Sequence, residues 1–94
     1  MKSYNPTVFK NPTIDQNSLT VESPDLGLSS YLSTIGHKLD TVLVKEGKTF
    51  FVFRNSKKLQ QDILDFWNHD ARVDPLAFNR TLRDFKAMAK NRPE

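Results

Sequence analysis

The pattern of apolar residues changes once in the middle of the chain, from a helical period to a period of two. Apolar side chains first recur at the i, i+3, i+4, i+7 spacing of one helical face: Leu28, Tyr31, Leu32 and Ile35. This spacing predicts a helix from about Asp25 to Ile35, and Gly36 stands where a left-handed residue would end it. Ser23 or Asp25 is the expected N-cap, with Pro24 in the first turn.

Two strands are expected after this helix. From residue 39 the side chains alternate, with Leu39, Thr41 and Leu43 on one face and Asp40, Val42 and Val44 on the other. Glu46-Gly47 supplies a turn, and residues 49–53 return as a second strand, Thr-Phe-Phe-Val-Phe. Residues 19–21 also favour β structure and predict a short edge strand upstream.

Two further amphipathic helices are expected after the hairpin. The first runs from Lys57 to about Asn68, with a cap at Asn55-Ser56. The second runs from Pro75 to about Asn91, because Asp74 is a favourable N-cap before a proline at the first helical position. The apolar stripes of the two helices are Leu59, Ile63, Phe66 and Trp67, and then Phe78, Leu82, Phe85 and Ala89.

Together these elements predict a small single α+β domain of order (β)-α-β-β-α-α, in which helices cover a β-hairpin. Residues 1–18 have no periodic apolar face and are expected to be a flexible N-terminal arm, leaving 19–94 as the compact domain. Alternatively, the arm folds on a partner through Tyr4, Phe9 and Lys10. The expected core is Leu28, Leu32, Ile35, Leu43, Phe51, Phe53, Leu59, Ile63, Phe66, Phe78, Leu82 and Phe85.

Composition narrows the function classes only slightly. The chain has 94 residues, 14 basic and 11 acidic side chains, a net charge of +3 and no cysteine. The absence of cysteine excludes disulfides and thiolate metal sites and is typical of a reducing cytosol. Neither a signal peptide nor an 18-residue apolar run is present, so we expect a soluble, cytoplasmic protein.

The excess positive charge lies in the last quarter of the chain, mainly on the third helix. At 100° per residue, Arg80, Arg83, Lys86 and Lys90 fall within about 120° of one another, about 125° from the apolar stripe. This flank is either a phosphate-contacting surface or a solvated face whose late cations favourably meet the helix C-terminus. Cations in a first helical turn oppose the helix dipole, which hints at a use for Lys57 and Lys58. The predicted nucleic-acid contacts are Arg72, Arg80, Arg83, Lys86, Lys90, Lys57 and Lys58.

Several short segments resemble a known family. They are Asp25-Leu26-x-Leu28 with Tyr31-Leu32, Gly36-His37-x-Leu39, Phe51-Val52-Phe53, Phe66-Trp67-Asn68, and Val73-Asp74-Pro75-x-x-Phe78 with Leu82-Arg83-Asp84-Phe85-Lys86. Together they resemble a family of short bacterial and phage proteins known only as a domain of unknown function, over roughly residues 21–89. The resemblance implies an architecture and no catalytic residues. It also implies occurrence on phages and mobile elements, a context that favours a binder of nucleic acid or of a host factor.

No constellation of catalytic or metal-ligating residues stands out. His37 is most simply a loop residue, His69 a helix-terminal cation, and Asp62 with Asp65 a polar helix face. Ser29, Ser30 and Ser33 lack a glycine elbow and a His-acid pair, and the three glycines are too scattered for a phosphate loop. We therefore expect no enzyme, no metal, no cofactor and no small-molecule substrate.

The hairpin aromatics leave one question open. Phe51 and Phe53 share one face of their strand, and Phe50 lies on the other with Val52. An open face would let an aromatic ring stack on unpaired bases, whereas the favoured interpretation is that helices or a dimer partner bury both faces.

Two functional hypotheses remain. The first is a non-catalytic nucleic-acid-binding or accessory protein of a phage or mobile element, contacting DNA or RNA phosphates through the basic C-terminal helix. The alternative is a protein–protein interaction module, a dimer or an inhibitor of a host factor, using the hairpin aromatics and the N-terminal arm.

Overall fold

The computed structural model describes residues 18–91, which form three helices and a three-stranded antiparallel sheet. The elements are β1 (Thr20–Ser23), α1 (Leu26–Thr34), β2 (Leu39–Lys45), β3 (Lys48–Arg54), α2 (Lys57–Trp67) and α3 (Pro75–Lys90). This order confirms the predicted α+β class and the sequence of elements, including the upstream edge strand.

The predicted arm lies almost wholly outside the described residues, so its flexibility stays a prediction. Ser18, at its boundary, belongs to the described part of the chain. Its carbonyl accepts a hydrogen bond from the side chain of Asn55 at 2.9 Å, and the carbonyl of Leu19 accepts one from the Asn55 backbone at the same distance. The start of β1 is therefore held against the end of β3.

Strand β3 is the central strand, because the order in the sheet is β1-β3-β2 and both pairings are antiparallel. The turn between β2 and β3 is made by Glu46 and Gly47, with φ angles of 51° and 78°. Positive φ at both turn residues is the type I′ geometry, whose twist matches that of the flanking strands. The hairpin turn is therefore determined by two adjacent residues, Glu46 and Gly47.

A β-bulge decides which side chains of β2 face the core. The register shifts between Leu39 and Thr41, so that Asp40 is the extra residue. Leu39 and Val42 consequently both pack against the core, although they are three residues apart. Strict alternation would have placed Leu43 there, and that prediction is wrong: Leu43 is 36% exposed.

Each helix begins at a side-chain cap. The carboxylate or hydroxyl oxygens of Asp25, Ser56 and Asp74 accept hydrogen bonds from the backbone N–H groups three residues on. Pro75 occupies the first turn of α3 as expected. Pro24 does not occupy the first turn of α1, because the cap is Asp25 and the proline precedes it.

Helix α1 ends in a Schellman motif. The N–H of Gly36 donates to the carbonyl of Ser33 at 3.1 Å, and the N–H of His37 donates to that of Leu32 at 3.0 Å. Gly36 has φ of 112°, a value that side chains with a Cβ rarely adopt. The prediction that Gly36 ends this helix is confirmed.

Helix α2 ends in the same motif without a glycine. The N–H of His69 donates to the carbonyl of Phe66 at 3.2 Å, and that of Asp70 to Asp65 at 2.8 Å, while His69 has φ of 65°. A non-glycine residue at such an angle carries a steric cost. The observed role of His69 is thus a backbone one.

The core forms where the inner face of the sheet meets the helices. Phe51 and Phe53 are each 1% exposed, and the ring of Phe85 on α3 lies 4.7 Å from that of Phe51, centroid to centroid. The buried apolar residues are Val21, Leu28, Tyr31, Leu32, Phe51, Val52, Phe53, Leu59, Ile63 and Phe85. Ile35, Phe66 and Phe78 are half-buried at the rim of this core.

Helix α3 is rotated slightly from the predicted orientation. Met88 and Ala89 pack against the core, whereas Leu82 is half-buried outside that cluster. The buried side of the helix is therefore shifted from Leu82 toward Met88. Among the helices, α3 makes its most extensive contact with α1.

The first prediction concerns the ring of Phe85, which packs against that of Phe51. Phe85→Ala should lower the free energy of unfolding by about 3–5 kcal/mol, because a buried ring is replaced by a cavity. Chemical denaturation measures the change, and Leu76→Ala is the matched control, because Leu76 is 72% exposed on the same helix. An unchanged denaturation midpoint for Phe85→Ala would contradict the observed packing of α3.

A second prediction concerns the strained end of α2. His69→Gly should raise the free energy of unfolding by about 0.5–1 kcal/mol, because glycine adopts the left-handed conformation without the Cβ clash. Asn68→Gly is the control: its φ of −88° needs no glycine, so it should destabilise the protein instead. Equal effects of the two changes on thermal stability would refute the strain at His69.

Candidate nucleic-acid interface and the His37 cleft

The four cations predicted on α3 form an exposed basic face. Arg80, Arg83, Lys86 and Lys90 are all exposed, and none of them forms a salt bridge with another residue of 18–91. They span eleven residues of helix, and the ten steps between the first and the last cover about 15 Å at 1.5 Å per residue. We call these four residues the basic face of α3.

Acidic residues border this face and do not divide it. Asp84 follows Arg80 by four residues, which places it about 40° beyond that arginine and farther still from Lys86 and Lys90. A shallow depression of about 200 Å³ lies on the face and is lined by Asn79, Leu82, Arg83 and Lys86. Helical geometry therefore places Asp84 outside the arc of α3 that the four cations occupy.

The remaining predicted contacts lie on other elements. Arg72, in the segment between α2 and α3, donates hydrogen bonds to the carbonyls of His69 and Ala71 at 3.4 and 2.9 Å. Lys57 and Lys58 are exposed in the first turn of α2. These two lysines stand on α2, a different helix from the basic face. Helix α1 contacts both α2 and α3.

Lys58 has a local partner that explains its position in the first turn. Its ammonium donates to Oδ1 of Asp62 at 3.0 Å, one helical turn away, and this hydrogen bond raises the pKa of Lys58. The favourable pair offsets the unfavourable helix dipole. Lys57 forms no salt bridge within residues 18–91.

Asp62 is buried, which corrects the expectation of a polar, solvated helix face. Its side chain is 4% exposed, and its Oδ2 lies 2.6 Å from Nε2 of His37. His37 is therefore more than a loop residue: its backbone N–H closes α1 and its ring contacts α2. One residue thereby fixes the end of the first helix against the second.

The charge state of Asp62 follows from two opposing effects. Burial alone would raise the pKa of Asp62, but the hydrogen bonds from His37 and Lys58 outweigh burial and lower it from the ordinary value of 3.8. The neighbouring Tyr31 hydroxyl has a raised pKa, first through burial and then through the negative charges of Asp62 and Asp65. The carboxylate of Asp62 is thus ionised at neutral pH and accepts two hydrogen bonds.

A cleft of about 440 Å³ lies beside His37. It is bounded by the segment after α1, the start of β2 and the junction between β3 and α2, and we call it the His37 cleft. Its lining includes His37, Lys38, Asp40, Arg54, Asn55 and Ser56. The carboxylate of Asp40 lies 4.0 Å from the guanidinium of Arg54, whose side chain is 82% exposed.

The outer face of the sheet carries a different arrangement. Lys45 on β2 pairs with Glu22 on β1 at 2.6 Å, although β3 lies between the two strands. The ammonium of Lys45 also lies 5.1 Å from the ring centroid of Phe50. Phe50 is half-buried beneath this lysine, so its ring is partly covered within residues 18–91, and burial by a dimer partner stays a prediction.

Residues 18–91 contain no group of three or more His, Cys, Asp or Glu side chains placed to hold an ion. His69 and Asp70 take part in the backbone termination of α2.

A family model for the domain of unknown function DUF5659 matches residues 17–91. The chain belongs to this family. The match includes all six elements of the DUF5659 domain and confirms the resemblance seen in its apolar and capping residues. No curated protein and no solved structure gave a significant match. None of the helices within residues 18–91 of the DUF5659 domain is long and apolar enough to span a membrane.

The contacts of Asp62 with Lys58 and His37 were predictable from the sequence of the DUF5659 domain only in part. Lys58 and Asp62 have the i, i+4 spacing of a helical ion pair. Asp62 also lies three residues after Leu59 and four before Phe66, which places it at the edge of the buried stripe. His37 is 25 residues upstream, and no spacing rule connects it to Asp62.

A third prediction tests the linkage of Asp62 to stability. Because its pKa is lower in the folded chain, its contribution is complete above the unfolded value near 3.8 and is lost as the pH falls through the lower folded value. Asp62→Asn should lower the free energy of unfolding by about 1–3 kcal/mol at pH 7 and by less in acid. Urea denaturation at neutral pH and at about pH 3 measures both differences.

The matched control is Asp84→Asn, because Asp84 is exposed and forms no salt bridge within residues 18–91. Its stability should change little at either pH. If Asp62→Asn behaved like Asp84→Asn at neutral pH, the contact between His37 and Asp62 would carry no stability.

Proposed function

We propose that this DUF5659 domain is a non-catalytic, cytoplasmic nucleic-acid-binding protein that contacts phosphates through the basic face of α3. The observation that carries the proposal is the set of four exposed cations on one helical face without salt-bridge partners in residues 18–91. Nucleic-acid affinity comes largely from such contacts between basic side chains and phosphates.

The position of the arginines favours this function over a merely solvated face. Lys86 and Lys90 lie toward the C-terminus of α3, where cations meet the helix dipole favourably. Arg80 and Arg83 lie in the middle of the helix, where the dipole effect has faded. The helix dipole therefore accounts for the two lysines and not for the two arginines, whereas an anionic partner would contact all four.

The dimensions of the face also suit a nucleic-acid backbone. The phosphates of one duplex strand follow one another at about 3.4 Å along the helix axis, so the 15 Å length of the face spans roughly four of them. The depression lined by Arg83 and Lys86 gives this face a shallow concavity. Arginine adds planar, bidentate hydrogen bonding to phosphate oxygens.

The rival, a protein-interaction module, has a narrower basis. Phe51 and Phe53 are buried in the core, and Phe50 lies under Lys45, so the hairpin offers no freely exposed aromatic ring within the described residues. The N-terminal arm, the second part of that hypothesis, lies outside them. An origin in a phage or mobile element stays a prediction from the resemblance.

The fourth prediction is a salt-dependent loss of binding. Changing Arg80, Arg83, Lys86 and Lys90 together to Gln should preserve the fold, because the four side chains are exposed and Gln is a good helix former. Binding to labelled single- and double-stranded oligonucleotides should fall. For each lost contact, the slope of log affinity against log salt should decrease by about 0.9 for duplex and about 0.7 for single strands.

Two charge-matched double variants separate position from net charge. Arg83→Gln/Lys86→Gln removes two charges from the basic face, and Lys45→Gln/Lys48→Gln removes two from the hairpin. Only the first should weaken oligonucleotide binding and flatten the salt dependence. Negligible binding by the wild type, or equal losses in the two doubles, would contradict the proposal and leave the interaction module as the better account.

A further inference from the structure

We propose that the His37 cleft binds a phosphate-monoester group, carried either by a small ligand such as a mononucleotide or by the phosphorylated end of a nucleic-acid strand. The inference goes beyond the proposed function, because the cleft and the basic face of α3 share no residue. Neither site needs the other in order to be occupied.

The size of the cleft is the first support. Its volume of about 440 Å³ falls within the range of about 300–1,000 Å³ usual for small-molecule sites. It lies at the end of the sheet, where the segment after α1 and the junction before α2 bound it. A phosphate group would fill only part of it, leaving room for an attached sugar or base.

The charges around the cleft are the second support. Lys38 forms no salt bridge within residues 18–91. Arg54 has only a marginal contact with Asp40, at 4.0 Å, and its side chain is 82% exposed. A guanidinium in this state keeps donors available for the bidentate hydrogen bonding that suits an oxyanion.

The fixed histidine is the third support. Nε2 of His37 contacts the buried, ionised carboxylate of Asp62, and Lys58 holds the other oxygen of that carboxylate. The ring therefore has one orientation, and Nδ1 is the ring nitrogen left without a partner among residues 18–91. A histidine oriented by a buried carboxylate beside a cleft is a common arrangement at ligand sites.

The geometry of the ligand follows from these groups. A phosphate monoester presents three terminal oxygens and up to two negative charges, which suits Lys38 and Arg54 at the cleft. When Nε2–H of His37 donates to Asp62, Nδ1 is an acceptor, and the hydroxyl of a singly protonated phosphate donates to it. A carboxylate carries one charge, so it would balance only one of the two cations and would bring no hydroxyl to His37. The carboxylate of Asp40 opposes any anion, so its removal should strengthen binding.

The experiment is a titration of the full chain followed by amide chemical shifts. The probes are inorganic phosphate, a nucleoside 5′-monophosphate, the matching nucleoside, and a short oligonucleotide with and without a 5′-phosphate, all at constant ionic strength. Phosphate and the mononucleotide should shift the amides of Gly36, His37, Lys38 and Asn55 in a saturable way, and the nucleoside should not. The two oligonucleotides then show whether a strand end is also accepted.

Exposed variants test the assignment without disturbing the core. Lys38→Gln and Arg54→Gln should each weaken phosphate binding about threefold to tenfold, and Asp40→Asn should tighten it. Lys48→Gln, exposed on the same hairpin but outside the cleft, should leave the affinity unchanged. The quadruple Gln variant of α3 should also keep its phosphate affinity, which separates this site from the nucleic-acid interface.

Three results would overturn the proposal. They are the absence of a saturable shift at millimolar phosphate, shifts confined to α3, and equal responses to nucleoside and nucleotide. Loss of phosphate binding in the quadruple α3 variant would likewise assign the anion to the basic face instead of the cleft.

Discussion

The burial of Phe51 and Phe53 on the central strand is the interaction on which the rest of this small domain depends. Both rings are 1% exposed, and they sit on the one strand that pairs with two neighbours. Phe85 brings α3 onto this strand, where its ring lies 4.7 Å from that of Phe51. In a domain of this size, the rings of Phe51, Phe53 and Phe85 supply much of the buried apolar area. Packing the helices against these rings removes that area from water and stabilises the fold.

The apolar side chains on the inner and outer faces of the sheet are shielded from water in different ways. The inner face is covered by helices, whereas on the outer face Lys45 lies over Phe50 and reaches Glu22 across the central strand. A lysine stem shields apolar surface while its ammonium stays paired and hydrated. This arrangement leaves Phe50 half-buried, so only part of its ring is accessible for base stacking within residues 18–91.

The two candidate surfaces differ in what holds them. The basic face of α3 is built from exposed side chains whose directions follow from the helix alone. The His37 cleft depends on long-range contacts, since its histidine is fixed by Asp62 on another helix and its wall includes the junction after β3. A single substitution on α3 would therefore alter the basic face only locally, whereas one at Asp62 would alter the shape of the cleft.

The sequence by itself determined the local structure. Side-chain caps, the positive-φ glycine after α1, the turn at Glu46-Gly47 and the apolar periods specified six elements close to their observed bounds. These signals were sufficient because each acts over one or two turns of chain. The basic face of α3 was predictable for the same reason, since helical geometry alone places its four cations together.

Only the tertiary structure decided the rest. The bulge at Asp40 places Val42 against the core and Leu43 on the outer face, and the alternating pattern of β2 does not predict it. The contact of Asp62 with His37 joins residues 25 positions apart, so it arises from the packing of α1 against α2. Local sequence determines the secondary structure of each segment. The burial of a charge and the register of a strand depend instead on which other segment packs against it.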